Sequence, residues 1–270
     1  MSISCSPQRD SRLLRRNPAV SGLLIILFGK ARKVADLLAK MDKEYICEMQ
    51  LHENVDKNEL EKVIKMFIGE IYQKPPLRSA VSKKPRRRKI YNIEILDFKD
   101  RDVLLKIKCQ AGTYVRKLCH DIGEILGCGA HMKDLRRIGI GTLNENDKRV
   151  ITLHELFGAY REWKNYNNPT YLNEFVRPLE ELLFFLPKIY VKDSSLFSIT
   201  HGSFVASPAV IAVTSDVKAK SIVTINTVYN EIIAIAKSEL NSEEIVKSKS
   251  GIVAKVDKVL RIIENAGSGI

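Results

Sequence analysis

Near Pro187 the hydrophobic rhythm of the chain changes, and that change limits what the chain can build. Downstream, short apolar runs recur at 189–191, 210–213, 222–225, 232–236 and 252–256. Strands that short and closely spaced predict a small barrel or sandwich. Upstream, helical and extended patterns are mixed. Val34, Leu37, Leu38 and Met41 fall at helical spacing and predict a helix over 31–41, and Leu60, Val63, Ile64 and Phe67 predict another over 58–71. Residues 44–52 read as a strand. Residues 90–98 and 103–110 read as a hairpin turned by Lys99-Asp100-Arg101-Asp102, with Val103, Leu105, Ile107 and Cys109 forming one buried row. The fold class is therefore α+β, with a mixed, largely antiparallel core sheet, flanking helices and a small C-terminal β-barrel. The expected segments are 1–16 (polar, arginine-rich and disordered), 17–186, 187–263 and a tail at 264–270.

The most informative segment lies between the hairpin and that boundary. Gly112-Thr113 turns the chain into a helix running to Leu126, with Thr113 as the expected N-cap and Gly127 as the stop. Val115, Leu118, Cys119, Ile122, Ile125 and Leu126 form its apolar stripe. Arg116 falls in the first turn, where a cation opposes the helix dipole. It is a candidate partner for an anion, with a solvated arginine as the plain alternative. Tyr114 can stack on a base or serve as a core aromatic. His120 and Asp121 are adjacent on the helix and point apart, so they do not read as a dyad. His131 is expected in a loop, and Cys119, Cys128 and His131 lack zinc-ligand spacing. Two further helices are expected at 153–163 and 179–185.

The net charge of +12 points to a polyanionic partner, with a basic but ordinary enzyme as the plain alternative. Lys83, Lys84, Arg86, Arg87 and Arg88, together with Arg136 and Arg137, are the candidate phosphate contacts. The run beside Pro75-Pro76 is expected in a structured loop. The five cysteines are scattered and odd in number, which fits a reduced, cytoplasmic setting. The apolar stretch 20–28 is too short to span a bilayer, so no membrane role is expected.

The order of these segments carries a resemblance. Lys43-Glu44-Tyr45, Gln73-Lys74-Pro75-Pro76 with Ser79-Ala80-Val81, Gly112-Thr113-Tyr114-Val115-Arg116, Gly127-Cys128-Gly129-Ala130-His131 and Leu135-Arg136-Arg137 resemble the core of the tRNA pseudouridine synthase B/dyskerin family. Tyr72 to Leu77 and Pro187 to Asp193 are closer to the archaeal and eukaryotic branch. Thr200-His201-Gly202 and Gly251 to Ala254 resemble an RNA-binding PUA domain. The resemblance implies isomerisation of uridine to pseudouridine in tRNA or, with a box H/ACA guide RNA, in rRNA, without a cofactor or metal. It implies RNA and small H/ACA ribonucleoprotein subunits as partners. Tyr45 would stack on the flipped base, Tyr114 and Leu135 would line the uracil pocket, and Arg116 would pair with the catalytic carboxylate. Lys43 joins the RNA-contacting set.

One position departs from the family pattern. Leu14-Arg15-Arg16-Asn17-Pro18 aligns with the motif that carries the nucleophilic aspartate, so Asn17 stands at the aspartate's position. An amide is neutral and a poor nucleophile. The glycine-rich lead-in and the family's opening strands are also unmatched, so the core is expected to be N-terminally truncated. The alternative function is a catalytically inactive RNA-binding paralogue or truncated gene product. A third class, an archaeosine-type transferase, would ask for a zinc-ligand cluster.

Overall fold

A computed structural model describes residues 20–74, 84–148 and 150–261. Chain contacts divide it into two compact units. The first holds 20–26 and 34–151, the second 27–33 and 152–261. Asn17 and Lys83, the segments 1–16 and 264–270, and the Pro75-Pro76 and Ser79-Ala80-Val81 motifs lie outside the described residues.

In the first unit the elements run β1 (Val20–Gly22), α1 (Ala35–Ala39), β2 (Lys43–Leu51), α2 (Lys57–Met66), β3 (Gly69–Gln73), β4 (Arg86–Lys99), β5 (Asp102–Cys109), α3 (Val115–Leu126), β6 (Ala130–Ile140) and β7 (Leu143–Asn144). The sheet order is β1-β6-β2-β5-β4-β3, with β7 paired to β6. The β1–β6 pair is parallel and the others are antiparallel. The expected mixed, largely antiparallel sheet is therefore present. Cys47, Met49 and Leu51 of β2 and Leu105, Ile107 and Cys109 of β5 share one buried face. Leu60, Val63 and Ile64 of α2 and Leu118, Cys119 and Ile122 of α3 close over it. Full burial of one such side chain contributes roughly 1.5–3 kcal/mol.

Several local expectations change. The region 31–41 begins as a 3₁₀ helix, Gly29–Val34, and becomes α-helical only from Ala35. The second helix ends at Met66, because Gly69 adopts φ 116° and reverses the chain into β3. Ile71 is thus a strand residue. Arg86, Arg87 and Arg88 lie within β4 rather than in a loop, and His131 lies within β6. Thr113 is not the N-cap. Its hydroxyl donates back to the Gln110 carbonyl at 2.7 Å, leaving Tyr114 as the cap residue. Gly127 ends α3 at φ 76°, as expected.

The second unit opens with α4 (Leu153–Tyr166), α5 (Thr170–Phe175) and α6 (Leu179–Leu182). A reciprocal cap between Thr152 and Glu155 starts α4. Then follow β8 (Lys188–Val191), α7 (Leu196–Thr200), β9 (Val205–Ala206), β10 (Val210–Val213), β11 (Ile222–Asn226), β12 (Ile232–Ser238), α8 (Ser242–Lys247) and β13 (Ile252–Val259), in the sheet order β10-β8-β11-β12-β13-β9. The two edge strands, β9 and β10, are joined only by the 3₁₀ turn Ser207–Ala209. So short a link reaches about 14 Å, whereas five flat strand spacings would need about 24 Å. The sheet must curl until its edges nearly meet, which makes the expected barrel. The helical segment 152–186 groups with this unit, where the Ile232 N–H donates to the Glu180 carboxylate at 2.9 Å.

Candidate nucleic-acid and catalytic site

The candidate site gathers at one end of the first sheet. Antiparallel pairing sets Lys43 opposite Cys109, so the first residue of β2 lies beside the last of β5. The chain leaving Cys109 turns through Gln110–Tyr114 and enters α3. Tyr45, Tyr114 and Arg116 are thereby brought to the same end of the sheet, although they are distant in sequence.

Gln73 secures the entrance to α3. Its side-chain amide accepts from the Tyr114 N–H at 3.0 Å and donates to the Tyr114 carbonyl at 3.2 Å. At 2 % exposure it is one of the few buried polar side chains. From the other side, Arg88 Nε donates to the Gly112 carbonyl at 3.1 Å. The turn is clasped by two strands. Arg116 is exposed in the first turn of α3 and makes no hydrogen bond or ion pair with the described residues. A cation held against the helix dipole beside a fixed turn is available to an incoming or neighbouring anion.

Tyr45 is half-buried and packs against the first core. Burial pushes its phenol up, Cys109 adds to the rise, and the Arg137 guanidinium opposes it through charge and a hydrogen bond. Arg137 is turned inward. Its Nε and Nη2 both donate to the Leu23 carbonyl, at 2.8 and 2.6 Å, while the Leu23 N–H donates to the Arg137 carbonyl at 2.7 Å. A Cβ on Gly22 would stand 2.1 Å from that carbonyl oxygen, so only glycine admits this approach. Lys43 also points inward, its ammonium donating to the carbonyls of Ala39, at 2.6 Å, and Met41. Burial lowers its pKa to about 8, and the Arg137 charge adds to the fall.

The remaining candidates divide. Leu135 is buried in the core opposite Cys47 and Val20. Arg136 pairs with Glu145 at 2.8 Å and Arg87 with Glu70 at 3.2 Å, both at the surface. Lys84 is exposed and Arg86 half-buried beside Gln73. Asp121 is held by Lys117 at 2.5 Å, with His120 Nδ1 at 3.7 Å. Cys119 Sγ faces Cys47 Sγ at 3.5 Å inside the core. Among the described residues no three His, Cys, Asp or Glu side chains form a metal-binding group, and no helix is long and apolar enough to cross a membrane.

Sequence reasoning missed Gln73, Leu23 and the inward turn of Arg137. The signal for Gln73 was masked, because residues 58–71 read as a helix; only in β3, where half-buried Gly69 and Ile71 share its side, does its amide turn inward and need a polar partner.

Residues 17–115 match the family model described as TruB family pseudouridylate synthase (N terminal domain). Residues 116–184 match the tRNA pseudouridylate synthase B C-terminal domain, and residues 187–260 match the PUA domain. A relative from Archaeoglobus fulgidus, "Probable tRNA pseudouridine synthase B", is 43 % identical over 90 % of this chain and 74 % of its own. This chain belongs to the TruB pseudouridine synthase family. A second TruB relative of the same description, from Methanopyrus kandleri, is also 43 % identical, over 90 % of this chain and 72 % of its own. Among solved structures, "Crystal Structure of a Cbf5-Nop10-Gar1 Complex" superposes with a TM-score of 0.84 at 39 % identity, covering 92 % of this chain and 75 % of that one. "Structure of H/ACA RNP bound to a substrate RNA containing 2'-deoxyuridine" gives 0.82 at 36 % identity, covering 91 % and 74 %. The Tyr45 strand and the Arg116 turn thus sit in a TruB core followed by a PUA barrel.

Proposed function

We propose that this chain isomerises uridine to pseudouridine within RNA, either in tRNA or, addressed by a box H/ACA guide RNA and small ribonucleoprotein subunits, in rRNA. The observation that carries this reading is the joining, at one end of a TruB-family sheet, of the Tyr45 strand with a clasped turn that presents an exposed Arg116. The relatives' names and the complexes in which the matching structures were solved support the substrate and the partners. In this reading residues 17–186 form the catalytic part and 187–263 an RNA-binding barrel, acting in the cytoplasm. The reacting nucleotide leaves its stack and its base stacks on Tyr45. Tyr114 and Leu135 flank the ring. Arg116 would hold ionised and orient a carboxylate beside the turn, the group that Asn17→Asp would supply at the family's position. The glycosidic C1′–N1 bond breaks, the uracil turns, a C1′–C5 bond forms, and the proton lost from C5 is balanced by one gained at N1.

Asn17 favours a second reading, an RNA-binding paralogue without chemistry, because a neutral amide at the nucleophile's position cannot form the covalent link. The deciding assay incubates purified protein with unmodified tRNA transcript, alone and with guide RNA and partner subunits, and counts pseudouridine. Formation above background supports the isomerase. Formation only after Asn17→Asp supports the paralogue.

A further inference from the structure

The outer face of the β3–β4 hairpin carries a row of side chains that the core does not use. Gly69, Ile71 and Gln73 point inward on β3, which leaves Glu70 and Tyr72 outward. The cross-strand pair Tyr72–Arg87 puts an aromatic beside a cation, and Glu70–Lys89 puts a carboxylate beside a cation. Tyr72 is 74 % exposed and Tyr91, at the bulge beyond Lys89, is 37 % exposed. Lys89 Nζ stands 5.5 Å from the centre of the Tyr91 ring, so a cation already lies over the second ring. The Arg87–Glu70 pair is solvent-exposed at 3.2 Å, the kind worth little to stability and readily exchanged for a phosphate. At about 3.3 Å per residue the two aromatic positions lie roughly 13 Å apart along β4.

Resting on the RNA-acting reading above, we propose that this face is a stacking platform for unpaired RNA flanking the target. Bases stack on Tyr72 and Tyr91, and phosphates run past Arg87 and Lys89. Ring faces interleaved with cations fit splayed-out bases, which a duplex keeps hidden in its stack. A single acidic residue, Glu70, stands in the row, and it is already neutralised by Arg87. On a chain of net charge +12, the complementary partner is a polyanion.

The test uses the full chain, a labelled oligoadenylate of about twelve nucleotides, within the usual span of such sites, and a blunt G·C duplex of the same length. Both probes lack uridine, so binding is read independently of isomerisation. Failure of the platform leaves the isomerase reading standing, and the reverse also holds. Tyr72→Ala and Tyr91→Ala are each expected to weaken oligoadenylate binding about tenfold, and the pair more. Duplex binding should not change. Tyr72→Phe and Tyr91→Phe, which keep the ring faces, should bind like the parent. The proposal is overturned if the parent fails to bind oligoadenylate, if the double alanine variant binds it like the parent, or if the alanine losses are equal on the duplex.

Discussion

The Gln73 amide satisfies both backbone groups of Tyr114 from a position 2 % exposed. Removing it leaves a sheltered N–H without its partner at the residue that caps α3. Gln73→Ala should therefore cost about 1–3 kcal/mol, well above the effect of an ordinary surface change. Urea unfolding monitored by circular dichroism would measure it. Gln73→Glu keeps an acceptor for the N–H but sets a carboxylate against the Tyr114 carbonyl, so it should not restore the parent value. A midpoint unchanged in both variants would remove Gln73 from this role. The same residue shows what the sequence hides at this scale. Its place before Pro75-Pro76 reads as a loop signal, and only the strand row of Gly69 and Ile71 reveals that its side chain turns inward. Arg137 is hidden in the same way. Beside Arg136 it reads as a second phosphate contact, yet its guanidinium closes on the Leu23 carbonyl.

Elements were legible where a period met a stop. The helix α3 declares itself by its apolar stripe and by Gly127, and β5 by strict alternation. The strand β6 did not, because its alternation breaks at Lys133-Asp134, near the register shift between Glu48 and Met49 of β2. A bulge puts two residues against one and scrambles the period of two. Gly123 marks where α3 lies closest to β6. A Cβ there would sit 2.1 Å from the Ala130 nitrogen and 2.4 Å from the Gly129 carbonyl carbon, a contact no relaxed structure permits. Gly123→Ala should destabilise by about 1–3 kcal/mol through overpacking, despite a gain of up to about 1 kcal/mol in helix propensity. Gly158 supplies the matched control. It lies exposed in α4 with nothing within 4 Å of a built Cβ, so Gly158→Ala should hold or raise stability by up to about 1 kcal/mol. Parallel thermal melts of the two variants decide the point, and shifts of the same sign would contradict the packing read at Gly123.

For the whole molecule, two separate hydrophobic clusters were foreshadowed by the change of rhythm near Pro187. The small barrel was expected from the closely spaced strands, whereas the strand order that makes β9 and β10 its edges was not, because no local pattern encodes it. The site was legible only as motifs in order, since pairing of β2 with β5 is what brings Tyr45 to the turn before α3. Charge is the property that the sequence states for the molecule at once. A net +12 on an RNA-binding chain makes counterion release a major part of affinity, at about 0.7 of a unit of log–log slope per phosphate on single strands. Inward-turned Lys43 and Arg137 hold backbone carbonyls and should contribute little to that slope. Arg87 and Lys89 lie at the surface and should contribute fully. For about four phosphate contacts, affinity for single-stranded RNA should fall about fiftyfold between 50 and 200 mM salt. Replacing both Arg87 and Lys89 with glutamine should flatten the slope by about 1.4, whereas Arg137→Gln should leave it unchanged while lowering stability. Anisotropy titrations across that salt range measure each slope. A slope that responds to Arg137 as strongly as to the surface pair would mean that its guanidinium leaves the Leu23 carbonyl for the nucleic acid.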